Sequence, residues 1–193
     1  MKKNGFTIVE VSILFVIFLI VAFLVAPLSM DDTMQAKNTS RWRGVQSDFI
    51  NIIYSVNTDL EENKTKFEDA FVKVLESNIK NDQKSYRVTF MNGTYPNDTY
   101  RFKDFKNTHA NATLAFKLFD NPQDGILGVL MYDVNGKSRP NVWGKDVFGM
   151  NIYRDKFEPF CKSDTISVQK QDCSKNGTGL CCSSYYLMGG NFD

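Results

Sequence analysis

Residues 11–28 read VSILFVIFLIVAFLVAPL, and Ser12 is the only polar side chain among them. At about 1.5 Å per helical residue this run covers about 27 Å, close to the roughly 30 Å hydrocarbon thickness of a bilayer. The whole chain has 193 residues, of which 42% are hydrophobic, yet its mean hydropathy is −0.31. The apolar residues are therefore concentrated, and we predict one membrane helix followed by one globular domain.

The residues around this run predict its orientation. Lys2 and Lys3 precede it, and no Lys or Arg recurs before Lys37. The positive-inside rule therefore predicts a cytoplasmic N-terminus and an extracytoplasmic globular part. An ordinary secretory signal peptide is disfavoured, because the run is longer than its apolar region and Pro27 follows the best small residue, Ala26.

The segment before the run, residues 2–10 with the sequence KKNGFTIVE, is short and basic at its start. Together with the apolar run it resembles the prepilin leader of type IV pilins and type II secretion pseudopilins. In that resemblance Gly5 ends the leader, Phe6 opens the mature chain and Glu10 is its fifth residue. Pro27 lies where the family often has a proline that kinks the helix.

The resemblance implies a maturation step and an assembly contact. A membrane aspartyl peptidase, the prepilin peptidase, would cut after Gly5 and methylate the new amine of Phe6. In a filament, Glu10 of one subunit would neutralise the Phe6 amine of its neighbour. A buried carboxylate without such a partner costs several kcal/mol, so this pair would penalise a wrong register.

Two amphipathic stretches follow the apolar run. The first has apolar residues at helical spacing and is typical of a helix that faces a core; these residues are Trp42, Val45, Phe49, Ile52, Ile53 and Val56. We expect it to be the outer half of the long N-terminal helix. The second stretch carries Phe67, Phe71, Val74, Leu75 and Ile79 and is also expected to be helical, between that helix and the sheet.

From Ser85 onward the pattern favours strands. Tyr86, Val88 and Phe90 alternate with polar residues, which is typical of a half-buried strand. Residues 112–119 and 126–134 are predicted as two strands around the turn at residues 120–125. The sequence thus predicts an α+β fold with a small antiparallel sheet.

The expected fold class is the type IV pilin fold that the resemblance implies. A long N-terminal helix, with its first half embedded in the membrane, would pack on the antiparallel sheet, and disulfides would staple the C-terminal region. The expected divisions are a leader at 1–5, a transmembrane and filament-core helix at 6–28, the outer helix at 29–60 and a globular head at 61–193.

Four cysteines, Cys161, Cys173, Cys181 and Cys182, lie within the last part of the chain. Outside the cytoplasm they should be oxidised. A bond between the adjacent Cys181 and Cys182 would be strained, so Cys161 and Cys173 are expected to pair with these two, in an order that the spacing leaves open. A four-thiolate zinc site is disfavoured, because no Cys-x-x-Cys spacing is present.

A possible calcium site lies in the stretch Asp133-Val134-Asn135-Gly136 and the following Gly144-Lys145-Asp146. Asp133, Asn135 and Asp146 could supply oxygen ligands, and some pseudopilins bind calcium near this part of the fold. The spacing is not that of an EF-hand. We favour a turn in which Asn and Asp side chains bond the local backbone, and calcium stays the alternative.

Enzymatic activity is not expected, because His109 is the only histidine and no nucleophile or phosphate-binding motif is recognisable. The net charge is +1 and acidic residues are interspersed with the basic ones, so no clear nucleic-acid site is predicted.

The sequence therefore predicts a filament subunit of the bacterial inner membrane, single-pass before assembly and then part of a periplasmic pseudopilus or a surface pilus. A type II secretion pseudopilin is the leading interpretation. A surface pilin for adhesion, motility or DNA uptake is the second, and a membrane-anchored binding domain that never assembles is the third. Expected partners are other pilin or pseudopilin subunits, the prepilin peptidase, the inner-membrane assembly platform and, before assembly, membrane lipid.

Overall fold

The computed structural model describes residues 8–77, 79–82, 84–108 and 111–191, and of residues 23–31 and 81–82 it describes the backbone. The chain divides into two compact units, Met1–Lys37 and Asn38–Asp193. The boundary falls inside the first helix, α1, which runs over Ile8–Gly44.

Within the described residues the protein is α+β, with five helices and one six-stranded antiparallel sheet. After α1 the helices are α2 (Gln46–Asn63), α3 (Phe67–Ser77), α4 (Ile166–Asp172) and α5 (Cys182–Leu187). The strands are β1 (Ile79–Asp82), β2 (Lys106–Thr108), β3 (Thr113–Gln123), β4 (Ile126–Asp133), β5 (Val147–Ile152) and β6 (Phe157–Pro159). They lie in chain order across the sheet, so every neighbouring pair is a simple antiparallel connection.

The hairpin of β3 and β4 is the centre of the sheet. Gln123 pairs with Ile126 across a two-residue turn. The turn residues Asp124 and Gly125 have φ of 52° and 77°, which is the left-handed region that a tight hairpin turn requires. The predicted pair of strands is confirmed, but the predicted turn at residues 120–125 is too long, because β3 continues to Gln123 and the turn consists of Asp124 and Gly125.

The helix stripe predicted to face a core does so. Its six apolar residues are all buried. Trp42 stacks on Phe148 of β5 with ring centroids 4.8 Å apart. Phe49 lies edge-on to Tyr132 of β4 at 5.6 Å. The end of α1 and the whole of α2 therefore cover one face of the sheet.

A second apolar cluster covers the opposite face. Along β4, Leu130 and Tyr132 belong to the helix-side cluster, whereas Val129 and Met131 belong to the other. Successive side chains of a strand point to opposite faces, so this alternation shows that both faces are buried. Trp143 is the largest fully buried residue of the second cluster.

The predicted strand at Tyr86, Val88 and Phe90 is wrong. Residues 84–88 pair with no strand in the described structure, and Thr89 forms one isolated parallel bridge with Val142. The three apolar side chains pack against the second cluster instead. An alternating pattern arises wherever every second side chain contacts a buried face. A segment that covers the sheet makes such contacts without the hydrogen-bond ladder of a strand.

The predicted type IV pilin fold with a membrane-embedded first half of the helix is also wrong. Among the residues that the structure describes, no helix has both the length and the apolar character needed to cross a membrane. From Asp32 to Gly44, α1 is largely polar.

Candidate functional site

The first part of α1 is the most unusual surface of the protein. Its twelve large apolar side chains between Ile8 and Val21 are all more than half exposed, from 51% for Val21 to 86% for Ile8. Residues 13–21 are consecutive, and at 3.6 residues per turn they point in every direction around the helix axis. A helix that is apolar all round is normally buried on all sides. We call residues 8–21 the apolar helix segment.

Two polar side chains interrupt this segment. Ser12 turns its hydroxyl back onto its own helix and donates to the carbonyl oxygen of Ile8 at 2.8 Å. Glu10 is exposed and lies in the first turn of α1. A carboxylate in the first turn of a helix is stabilised by the helix dipole. The structure thus places Glu10 at the N-terminal end of the apolar segment.

The predicted leader and assembly site also includes Gly5, Phe6 and Pro27. Gly5 and Phe6 lie outside the described residues. Pro27 lies within α1, in the part for which the structure describes the backbone.

The candidate calcium ligands come together at the C-terminal end of β4 and in the connection to β5. Asp133 and Asp146 are both fully buried. The hydroxyl of Tyr86 donates to Oδ2 of Asp133 at 2.5 Å, and the backbone N–H of Asn135 donates to Oδ1 at 3.1 Å. The backbone N–H groups of Asn141 and Val142 donate to Oδ2 and Oδ1 of Asp146 at 2.8 and 2.7 Å. Each of the four carboxylate oxygens therefore accepts a hydrogen bond.

Burial governs the protonation of both carboxyl groups. It raises the pKa of Asp133 to about 8, and the neighbouring charge of Asp146 adds to the increase. Burial also raises the pKa of Asp146 to about 6, although the N–H donors of Val142 and Asn141 oppose that change. The same burial, together with the charge of Asp133, raises the pKa of Tyr86 above its usual value.

This geometry suits a hydrogen-bonded turn cluster. With its side-chain nitrogen facing the acceptors, the Asn135 amide donates to Asp133 Oδ1 at 2.8 Å and to the carbonyl oxygen of Ser138 at 3.0 Å. A calcium ligand would have to present oxygen at that position. The structure thus brings the three predicted residues together, and the surrounding acceptors are satisfied when the amide nitrogen of Asn135, rather than its oxygen, faces the carboxylate.

The four cysteines form two disulfides, Cys161–Cys181 and Cys173–Cys182. This is the order that the spacing left open. Asp172 stabilises the loop that leads to Cys181. Its carboxylate accepts hydrogen bonds from the N–H and hydroxyl of Thr178 and from the N–H of Cys181, at 2.7 to 2.9 Å. Sequence reasoning missed Asp172, and its position beside Cys173 was the signal that could have pointed to it.

Sequence reasoning also missed a cavity of about 460 Å³ that is lined by residues between Ser85 and Phe105 and by Met131 of β4. Its lining contains five aromatic rings and two arginines. The signal in the sequence is the high aromatic content of residues 86–105. This cavity lies entirely within the globular unit.

Comparison with known proteins leaves the family undetermined: no family model, no curated protein and no solved structure matches the chain.

Proposed function

We propose that this protein is a structural subunit of a type IV pilus-like filament, in which the apolar helix segments of several copies pack against one another. The observation that carries the proposal is the all-round exposure of the twelve large apolar side chains between Ile8 and Val21. Monomeric proteins rarely expose an apolar surface of this extent, and such surfaces mark contact sites.

The gain available from this packing is large. Fully burying a large apolar side chain contributes about 1.5–3 kcal/mol, and these twelve are already about half covered by their own helix. Covering the remainder would contribute on the order of 10 kcal/mol per copy, as a gross upper figure. Association costs several kcal/mol in lost translational and rotational freedom. The free energy gained by burial exceeds the cost of association when several neighbouring copies cover each helix. The core of a filament provides such neighbours.

The leader sequence supports the same proposal. Cleavage after Gly5 would remove Lys2 and Lys3 and place a new amine on Phe6, a short distance before the apolar helix segment. Glu10, in the first turn of α1, is the first carboxylate that this amine would meet in a neighbouring copy. Pairing across copies would satisfy both charges in an apolar core, where an unpaired one costs several kcal/mol.

The disulfides support a place outside the cytoplasm for the globular unit. All four cysteines are paired, and protein disulfides persist in oxidising compartments. A type II secretion pseudopilin is the use we favour, with a surface pilin second. The prepilin peptidase, the assembly platform and other copies of pilin-like chains are the proposed partners.

Mass spectrometry of the protein from a host with a prepilin peptidase tests the maturation step. The expected mature N-terminus is Phe6 with one added methyl group. A chain that begins at Met1, or at a residue within or after the apolar run, would contradict the proposed leader. Shearing the cells and imaging with a labelled antibody then separates a long surface pilus from a short pseudopilus.

Cross-linking of single-cysteine variants tests the assembly contact. Because the native cysteines are all paired, Val16→Cys adds one thiol in the apolar helix segment. A short bis-maleimide should then link copies into dimers. Ser138→Cys is the matched control, since Ser138 is exposed on the globular unit. Linking of the control and not of Val16→Cys would refute assembly through the helix.

A further inference from the structure

The cavity beside residues 85–105 has the size of a small-ligand site. Its volume of about 460 Å³ falls in the range of roughly 300–1,000 Å³ that such sites occupy. Five rings line it, from Tyr86, Tyr95, Tyr100, Phe102 and Phe105. Phe102 and Phe105 are buried and form a fixed wall, whereas the ring of Tyr95 is 54% exposed.

The rings are held in place by their neighbours. Tyr86 lies edge-on to Phe105, with ring centroids 4.5 Å apart, and its hydroxyl is bonded to Asp133. Tyr100 lies edge-on to Phe160 at 5.4 Å. Burial raises the pKa of Tyr100, so its phenol keeps its proton and remains a donor across the physiological range. The cavity is therefore preformed on two of its sides.

Two arginines, Arg87 and Arg101, line the cavity. The guanidinium of Arg87 lies 4.4 Å from the ring centroid of Tyr95, and its Nη1 donates to the Tyr95 hydroxyl at 3.0 Å. Arg101 Nη2 donates to the carbonyl oxygen of Pro96 at 3.4 Å, and its Nη1 forms an exposed ion pair with Oδ1 of Asp98 at 3.7 Å. A guanidinium has five N–H donors. Both arginines therefore keep donors for a ligand after these contacts.

The surroundings of the cavity are positively charged. Lys117 Nζ lies 5.3 Å from the ring centroid of Phe102. Burial lowers the pKa of Lys117, the charge of Asp98 opposes this decrease, and the neighbouring cations Lys103 and Arg101 add smaller decreases. Asp98 is fully exposed, so its charge is well screened by water. A buried or half-buried anion here would face Lys117 and Arg101, whose present counter-charge, Asp98, is fully exposed.

We propose that this cavity binds a carboxylated sugar, with the sugar ring against the aromatic wall and its carboxylate paired with Arg87 and Arg101. Planar guanidinium groups bind carboxylates through two parallel hydrogen bonds. The carbon–hydrogen face of a sugar ring packs on aromatic faces, while its hydroxyls find partners in tyrosine hydroxyls such as that of Tyr95. A bounded cavity with two arginines suits one charged ring better than a nucleic-acid strand, which needs a continuous basic groove.

Titration calorimetry with the full chain tests the proposal, with glucuronic acid and N-acetylneuraminic acid as the probes. Glucose and the methyl ester of glucuronic acid are the matched neutral sugars. Removing the carboxylate charge should weaken binding by about tenfold or more, because charge-assisted hydrogen bonds are lost. Equal binding of glucose, or binding of a single-stranded oligonucleotide in place of both acidic sugars, would overturn the proposal.

Three variants locate the site. Arg87→Ala and Arg101→Ala should each weaken binding by about tenfold, and Tyr95→Leu should weaken the acidic and the neutral sugar alike. Arg154→Ala is the matched control, since Arg154 is exposed and does not line the cavity. Unchanged affinity in both cavity arginine variants, at unchanged circular dichroism, would refute the site. The test uses the globular unit's own pocket, so its outcome is separate from that of filament assembly.

Discussion

The indole Nε1 of Trp42 donates a hydrogen bond to the backbone carbonyl oxygen of Ser183 at 2.9 Å. This bond joins the C-terminal end of α1 to α5, across 141 positions of sequence. Trp42 is fully buried, and its ring also stacks on Phe148. The side chain of Trp42 thus connects the end of α1, strand β5 and the disulfide-bonded segment.

Replacing Trp42 measures the strength of that junction. Trp42→Phe should keep the stacking and lose the hydrogen bond, which lowers the free energy of unfolding by about 1–3 kcal/mol because the buried Ser183 carbonyl loses its partner. Trp42→Ala should cost about 3–5 kcal/mol. Urea unfolding of the full chain gives both values. Tyr54→Ala, at a side chain that is 76% exposed, should change the same free energy by less than about 0.5 kcal/mol.

Gly149 of β5 is required by close packing. A Cβ at this position would overlap the ring of Phe160. Gly149→Ala should therefore destabilise the protein by about 1–3 kcal/mol, as overpacking does. Gly44→Ala is the matched control, because no atom lies within 4 Å of the Cβ built there and alanine favours the helix. Equal midpoints of thermal unfolding for the two variants would show that Phe160 moves aside without cost.

The two disulfides should differ slightly in their contribution. They close sequence separations of 20 and 9 residues. By loop-closure entropy each contributes roughly 3 kcal/mol, with the longer loop ahead by about 0.7 kcal/mol. Double alanine variants of each pair, compared by chemical unfolding, test this order. Peptide mapping under non-reducing conditions checks the pairing, and a peptide that links Cys161 to Cys182 would contradict it.

Stability should fall as pH rises through the range of Asp133. Its pKa is about 8 in the folded protein, above the usual 3.8. Between these values the folded state keeps a proton that the unfolded chain has released, so the free energy of unfolding decreases with pH. Asp133→Asn cannot ionise and should show a decrease that is smaller by at least about 1 kcal/mol between about pH 5 and about pH 8. Parallel curves for the two proteins, measured with a calcium chelator present, would contradict the assignment.

Glu10 should matter for assembly and not for folding. Glu10→Ala should reduce the filament yield strongly, because the amine of Phe6 in a neighbouring copy would lose its partner in an apolar core. The midpoint of thermal unfolding should stay unchanged, since Glu10 is exposed. Glu61→Ala removes another exposed carboxylate, on α2, and should assemble normally. Normal filaments from Glu10→Ala would refute the charge pair.

Local patterns in the sequence were enough for several features. The helical spacing from Trp42 to Val56 predicted the buried stripe, and the turn residues Asp124 and Gly125 predicted the central hairpin. The chemistry of these features is local, since helical periodicity and turn conformation depend on residues a few positions apart. The clustering of cysteines likewise predicted that Cys161 and Cys173 bond to Cys181 and Cys182.

Other features were decided by residues that are distant in sequence. The disulfide order, the four donors on Asp133 and Asp146, and the cavity beside Tyr95 depend on how loops pack against the sheet. The sequence by itself determined where the apolar and polar residues lie along the chain. Only the tertiary structure decided which of them are covered: Tyr86 to Phe90 cover a sheet face without forming a strand, and the apolar helix segment is left exposed. Burial is a property of the whole packed chain, because it depends on every element that can reach a surface.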